Sequence, residues 1–438
     1  MKIVFLLLTA CFLSSAPLIV IAQPTSISLT TAPETQKPLD PAAATRAWLA
    51  TVPAEKRARS DAYFEGGYWL ILWNFLLGAA ISVFLLSSGL SARLRAFAER
   101  ATRFRSLQIA LYAVPYVLLV FVFSFPLGVY SEYFREHAYG LATQTFGPWF
   151  REQLIDLAIA IIATTIALLV LYAVFRCARR TWWLWGTGAG VLFLAIATLI
   201  APVFVAPLFN TYKPISDPKI SQPILAMASA NEIPVRQVFE VDASRQSNRV
   251  SANVSGLFGT ARISLNDNLL KQCTLPEIRA VMAHEMGHYV LNHSFKLILY
   301  FALFIFGGFA VARAIFERAV RRWGGRWGVR DIADPAGFPL LVLIFSTFFF
   351  LATPLTNTAG RVTEREADAF GINTAREADG MAKAALKLGV YRKLDPGPVE
   401  EFIFFDHPSG RARIRMAMDW KAANLPAGDA GAALSTAR

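Results

Sequence analysis

Six stretches of about twenty residues, almost free of charge, punctuate the chain at about 67–90, 107–129, 154–176, 182–203, 295–313 and 338–356. As helices rising about 1.5 Å per residue, runs of that length match the roughly 30 Å hydrocarbon core of a bilayer. They predict four spans within 67–203 and two more within 295–356. A seventh apolar run, Ile3 to Ile21, follows Lys2 and ends in Val20-Ile21-Ala22. Residues 1–22 therefore read as a signal peptide or a first transmembrane segment. Gln23 to about Thr45 is rich in Pro, Thr and Ala, and 23–66 reads as an exported linker.

Between and after the spans the pattern changes. Ser216 to about Asn231 has helical periodicity, and Val235 to Val241 alternates as a strand does. Val250 to Gly256 and Arg262 to Leu265 form a strand pair turned by Gly256 and Gly259, a small β-hairpin. An extended peptide can add to the exposed edge of such a pair, so the hairpin reads equally as plain structure or as a substrate cradle. The fold class is thus an all-α membrane protein of six to seven transmembrane helices. Its soluble part is split between 204–294 and 357–438.

Composition agrees: 55% of residues are apolar and only 17% charged, against about a quarter charged in soluble domains. The net charge of +12 raises the question of nucleic acid, and its distribution answers it. Segments 91–106, 176–181 and 313–336 hold fourteen arginines against Glu99, Glu317, Asp331 and Asp334, a net +10. Alternation of the spans puts all three segments on one face, and basic loops stay in the cytoplasm. The charge marks topology and excludes a nucleic-acid partner. By the same alternation 204–294 and everything after 356 share the opposite face. That predicts a bacterial inner-membrane protein with its soluble half on the periplasmic side. Cys11, Cys177 and Cys273 lie in separate segments and suggest neither a disulfide framework nor a metal site. The oligomeric state is not legible.

The chemistry sits in Ala283-His284-Glu285-Met286-Gly287-His288. One helical turn separates His284 from His288, so both imidazoles can bind one metal ion, and Glu285 beside them is placed as the base that activates water. Thr274 and Glu277 have capping-box spacing at the start of this helix. A third ligand from the same helix would need histidine at 294, which holds Ser294. His293 misses that position and, on a continuous helix, would face nearly opposite His284. It reads as a helix-end or interface residue. Gly360-Arg361-Val362-Thr363-Glu364-Arg365-Glu366-Ala367-Asp368 offers a better partner. Glu364 would complete a zinc site, and Asp368, on the same face, would accept the outer N–H of a ligand histidine. Glu366 points elsewhere on that helix. Near the C-terminus His407 precedes Pro408, with Arg411, Arg413 and Arg415 after it; a histidine or arginine there could stabilise an oxyanion.

These motifs, in this order, resemble the integral-membrane zinc endopeptidases typified by the type I CAAX prenyl protease. The likeness includes Phe134 to Phe150, Pro202 to Pro214, the HEMGH helix, the ExxAD helix and the His-Pro segment with Arg413 six residues on. The resemblance implies a ring of seven membrane helices around a large water-filled chamber closed by a zincin-like HExxH domain. It implies one Zn2+ on His284, His288 and Glu364, Glu285 as general base, Asp368 as supporting acid, and His407 with Arg413 at the substrate carbonyl. Partners would be a peptide or protein substrate and the lipid bilayer. Two departures stand out. Where the family's edge strand reads Asn-Ala-Tyr-Phe-x-Gly, this chain has Ser251-Ala252-Asn253-Val254-Ser255-Gly256, and either Ser251 or Asn253 would take the asparagine's role. The arginine segments also argue for a zinc domain outside the cytoplasm, opposite to the family's eukaryotic members. The expected function is zinc-dependent hydrolysis of peptide bonds in membrane-associated or exported proteins, with CAAX-type processing or a non-catalytic scaffold as alternatives. A transporter would show broken or charged helices at the midplane.

Overall fold

The computed structural model describes residues 39–256 and 261–425. The expected signal or first span, residues 23–38 of the 23–66 linker and the Gly259 turn lie outside the described residues. Helix α1 (Pro41–Ala50) starts at Asp40, whose carboxylate caps the Ala42 N–H at 2.8 Å, and at Pro41, whose missing N–H costs nothing in a first turn. Its Trp48 and Leu49 are buried against the C-terminal helix, so part of the expected linker is packed structure. Next come α2 (Ala54–Ser87), α3 (Leu90–Ala101), α4 (Arg105–Ala138), α5 (Phe146–Cys177) and α6 (Trp182–Leu208). Among the described residues α2, α4, α5, α6 and a later helix, α10 (His293–Trp327), are long and apolar enough to cross a membrane. At about 52 Å, α10 outruns the hydrocarbon core, and its end carries the arginines expected in a loop.

The sixth expected span is broken. α11 (Phe338–Leu351) bends by 58° at Ala352 into α12 (Thr353–Ala375). At 14 residues α11 is too short to cross unaided, and α12, beyond the bend, carries Glu364 and Asp368. The membrane helices bury a core that includes Tyr112, Tyr172, Phe175, Trp182 and Phe316. At one end the arginine segments meet: Arg95 pairs with Asp334 at 2.6 Å and Arg330 with Glu99 at 2.7 and 3.0 Å.

At the other end the expected strand pair is present as half of a larger sheet. β1 (Tyr212–Pro214), β2 (Val238–Val241), β4 (Arg262–Asn266) and β3 (Ala252–Ser255) lie in that spatial order, with β2 parallel to β4 and the other pairs antiparallel. β3 is therefore an edge, in register Asn253 with Ser264 and Val254 with Ile263. β1 carried no sequence signal, being three residues long with a proline, as edges allow. Helix α7 (Pro218–Ala230) and α9 (Leu275–Val290) share the sheet's core through Ile224, Ile263, Leu265, Met282 and Met286. The short helix α8 (Asp267–Gln272) leads into α9, whose capping box is formed: Glu277 Oε2 accepts from Thr274 N–H at 2.5 Å and from Lys387 Nζ at 2.8 Å. Helices α13 (Ala378–Leu388), α14 (Pro398–Phe404) and α15 (Gly410–Asn424) complete this half.

Candidate metal centre

Helices α9 and α12 cross closely because glycines stand at the crossing. A Cβ on Gly371 would come within 2.9 Å of the His284 backbone nitrogen, and one on Gly287 within 3.2 Å of Ala367 Cα and O. Bare backbone thus slots against bare backbone, and residues one turn apart on each helix converge in the crease: His284 and His288 from α9, Glu364 and Asp368 from α12.

His284 Nε2 and His288 Nε2 are 3.0 Å apart. Glu364 reaches both, Oε2 lying 3.4 Å from His284 Nε2 and Oε1 3.4 Å from His288 Nε2. A tetrahedral zinc with N and O ligands at about 2.0–2.1 Å has ligand-to-ligand edges of about 3.3 Å. The triangle therefore has the size, and the two-nitrogen, one-carboxylate chemistry, of a site that leaves a fourth position open. Three lone-pair donors turned on one point repel one another unless a proton or a metal cation lies between them. The residues fit a zinc ion.

The electrostatics follow from burial and this crowding. Burial opposes the charge of Glu364, but His407, His284 and His288 outweigh it and hold the carboxyl well below its usual range. Burial and the neighbouring His284 push His288 well below the usual imidazole value. At His284 burial is outweighed by Asp368 and Glu364, and the imidazole is raised to about 10. Glu285 makes no ion pair within this set. Burial pushes its carboxyl up to about 7, with His284 pulling the other way.

Asp368 Oδ1 lies 2.8 Å from His284 Nδ1, on the outer side of that ring. The two are as close as an ion pair but are not aligned as a hydrogen bond, and Asp368 Oδ2 is likewise unaligned with Arg413 Nε at 3.0 Å. Arg413, buried between the acids, also donates from Nη2 to Glu364 Oε2 at 2.8 Å. Its guanidinium is thus engaged with Glu364 and Asp368. His407 stands beside Glu364, Nε2 to Oε1 3.4 Å, with its Nδ1 2.7 Å from Asp406 Oδ1. A Cβ on Gly360 of α12 would come within 2.8 Å of the Asp406 carbonyl, so the His-Pro segment too rests on bare backbone.

The metal cleft is a cavity of about 380 Å³ lined by His284, Glu285, His288, Glu364, Asp368, His407 and Arg413, with Val250, Ser251 and Ala252 along one wall. Ser251 is therefore at the cleft. Asn253 is not among the residues lining it, and its Oδ1 is buried without a partner. Beside the cleft is a chamber of about 1530 Å³ walled by the membrane helices. Arg249, Glu364, Tyr391, Arg392 and His407 line both cavities and form the partition between them. Arg249, Tyr391 and Arg392 sit in loops and carry no spacing by which the sequence reveals them.

His293 is a helix-end residue, as the sequence suggests, but its side chain does not point where a continuous helix would send it, and Glu366 meets it. α9 does not continue through His293: it ends at Val290, Asn292 takes the left-handed conformation (φ 59°), and α10 begins at His293. The chain doubles back, and the buried His293 Nδ1 comes to 2.8 Å from His288 Nδ1. Glu366 Oε2 lies 2.9 Å from His293 Nε2 and accepts from Lys296 Nζ at 2.6 Å. The available signal was Asn292, a residue type that tolerates this conformation where helices end.

Residues 42–211 match the family described as CAAX prenyl protease N-terminal, five membrane helices, and residues 214–421 match Peptidase family M48. The uncharacterized metalloprotease YhfN of Bacillus subtilis is 31% identical over 349 residues, 78% of this chain and 82% of that protein. The CAAX prenyl protease 1 homolog of Arabidopsis thaliana is 28% identical over 66% of this chain and 68% of its own. CAAX prenyl protease 1 of Saccharomyces cerevisiae is 26% identical over 66% and 67%. The crystal structure of S. mikatae Ste24p superposes with a TM-score of 0.71 at 20% identity, covering 86% of this chain and 94% of that one, a likeness of fold.

Proposed function

The chain belongs to peptidase family M48, an integral-membrane peptidase by its helices, and on that premise we propose that it is a zinc-dependent endopeptidase acting on membrane-associated or exported proteins. The observation that carries this is the triangle of His284, His288 and Glu364 at zinc-ligand spacing, with Glu285 lining the same cleft. Zinc held there supplies Lewis acidity, making a water nucleophilic near neutral pH and polarising the scissile carbonyl. Glu285 takes the water's proton and returns it to the leaving amine. Asp368 orients His284 through Nδ1, and His407 faces the carbonyl oxygen as negative charge develops there. Ser251, at the end of the β3 edge, positions the substrate backbone. The test is Glu285→Gln: it should retain one zinc per chain while peptide cleavage falls by at least about 10³-fold. Undiminished cleavage in that variant would place the chemistry elsewhere.

CAAX-type processing is the second reading, favoured by the printed names of the relatives and by the chamber beside the cleft. The altered edge, Ser251 to Gly256 without the aromatic pair, and an exported zinc domain favour the first. We propose that the zinc domain faces the periplasm of a bacterial inner membrane, because the fourteen arginines gather at the opposite end. Cys177 is exposed among those arginines, and Lys219 is exposed on α7. An impermeant maleimide added to spheroplasts should label Lys219→Cys and spare Cys177. The reverse pattern would return the site to the cytosol and favour CAAX-type processing.

A further inference from the structure

The two ligand histidines are held from behind by different means. His284 Nδ1 meets a carboxylate, Asp368, at 2.8 Å. His288 Nδ1 meets another histidine, His293, at 2.8 Å; His293 Nε2 in turn is 2.9 Å from Glu366 Oε2, and Lys296 Nζ donates to that same oxygen at 2.6 Å. His293 is 0% exposed, so nothing competes with these contacts from solvent, while Glu366 and Lys296 stand partly in water at the far end.

Metal ligation gives the chain of contacts one direction. If His288 binds through Nε2, that nitrogen offers its lone pair and the ring's proton must sit on Nδ1. His288 Nδ1–H then donates to His293 Nδ1, which fixes the His293 proton on Nε2, and that N–H donates to Glu366. Lys296 Nζ, 2.6 Å from the same oxygen, holds Glu366 in place as the final acceptor. We infer that His293, Glu366 and Lys296 form a relay that positions His288 for zinc, doing for that ligand through a second imidazole what Asp368 does directly for His284. The inference rests on the zinc reading above. His293 and Glu366 are positioning residues; neither touches substrate. The reversal at Asn292 is what makes the relay possible, since it sets the first residue of α10 beneath the last turn of α9.

A purely structural pin between α10 and α12 predicts loss of stability alone, so the test reads zinc affinity. Full-length protein in detergent is stripped of metal and titrated with zinc against a competing chelator. His293→Leu should weaken zinc binding by about 10–100-fold, the usual cost of losing a partner behind a ligand. His293→Asn, whose side-chain oxygen can accept where Nδ1 did, should stay within about threefold of wild type. Glu366→Leu, which removes the acceptor, should weaken binding in the parent but add little to His293→Leu, whereas Asp368→Asn should add its full effect to His293→Leu. Wild-type affinity in His293→Leu, or equal loss in Leu and Asn, overturns the relay. If neither His293 variant folds, Glu366→Leu decides alone: weakened binding supports the relay and unchanged binding overturns it. Wild-type protein that takes up no zinc, with His288→Ala indistinguishable from it, brings down the zinc reading and the relay together. Tight zinc in wild type with an unaffected Glu366→Leu brings down the relay only.

Discussion

Two cavities meet at Glu364 and His407, and they are built on opposite principles. The chamber is large, about 1530 Å³, and walled mostly by apolar faces of α2, α5, α6, α10 and α11, with one polar cluster where Arg249 donates to Tyr63 and Glu136 at 2.6 Å. The cleft is a quarter of that volume, about 380 Å³, and in it His284, His288, Glu364, Asp368, His407 and Arg413 touch one another at 2.8–3.4 Å. A space bounded by side chains of low specificity can admit many substrates, because apolar contact discriminates weakly. A space bounded by coupled ligands tolerates almost no change. If the chamber admits substrate and the cleft cuts it, the five residues that line both are where the two tasks meet.

The strongest way to break this division is at Glu364, which belongs to both cavities. Glu364→Ala removes the proposed third ligand and leaves Arg413 buried beside Asp368 without its second partner. Zinc should be lost and cleavage of every substrate should fall by at least about 10³-fold. Full zinc occupancy by elemental analysis would remove Glu364 from the metal shell.

Gly371→Ala attacks the cleft without touching a ligand side chain. Its Cβ would stand 2.9 Å from the backbone of His284, so α9 and α12 must part. A stability loss of about 1–3 kcal/mol is expected from overpacking, accompanied by weaker zinc binding as the two histidines draw away from Glu364. Unchanged thermal unfolding and zinc affinity would mean that the crossing is looser than its spacing implies.

The same contrast explains what the sequence disclosed. The chamber was legible as run length: uncharged stretches of about twenty residues have few other uses. The cleft was legible as spacing, because His284, His288, Glu364 and Asp368 each lie one turn apart on their helices. What escaped is what depends on where the chain turns. The helical wheel that set His293 aside assumed a continuous helix, and one left-handed residue, Asn292, invalidated it. The bend at Ala352 hid inside an apolar run, since hydropathy reads composition and not direction. Arg249, Tyr391 and Arg392 reach the partition from loops, where no periodicity points to them.

On the chamber side, the contrast predicts selectivity in place of silence. Ala163 and Ala167, one turn apart on α5, both line the chamber. Replacing both with Phe should slow cleavage of a membrane-tethered substrate by about tenfold through lost space. A short soluble peptide that needs only the cleft should be cleaved within about twofold of wild type. Equal loss for both would show that the chamber shapes the cleft and does more than admit.

The smallest effect is one of pH, and it concerns the one cleft carboxylate outside the ion-pair network. Glu285 must be ionised to act as a base, so activity is present above its folded pKa and lost as pH falls through it. Burial raises that pKa from 4.5 to about 7. A cation at the neighbouring ligands favours the carboxylate and draws the value down again. The acid limb of kcat/KM in the zinc-loaded enzyme should therefore fall between 4.5 and 7, and from pH 7 to 8 the rate should change by about twofold at most. Two influences oppose each other at this residue: burial, which favours the neutral acid, and positive charge at the neighbouring ligands, which favours the carboxylate. A limb at or below 4.5 would mean that the charge wins outright and that burial contributes nothing to the base.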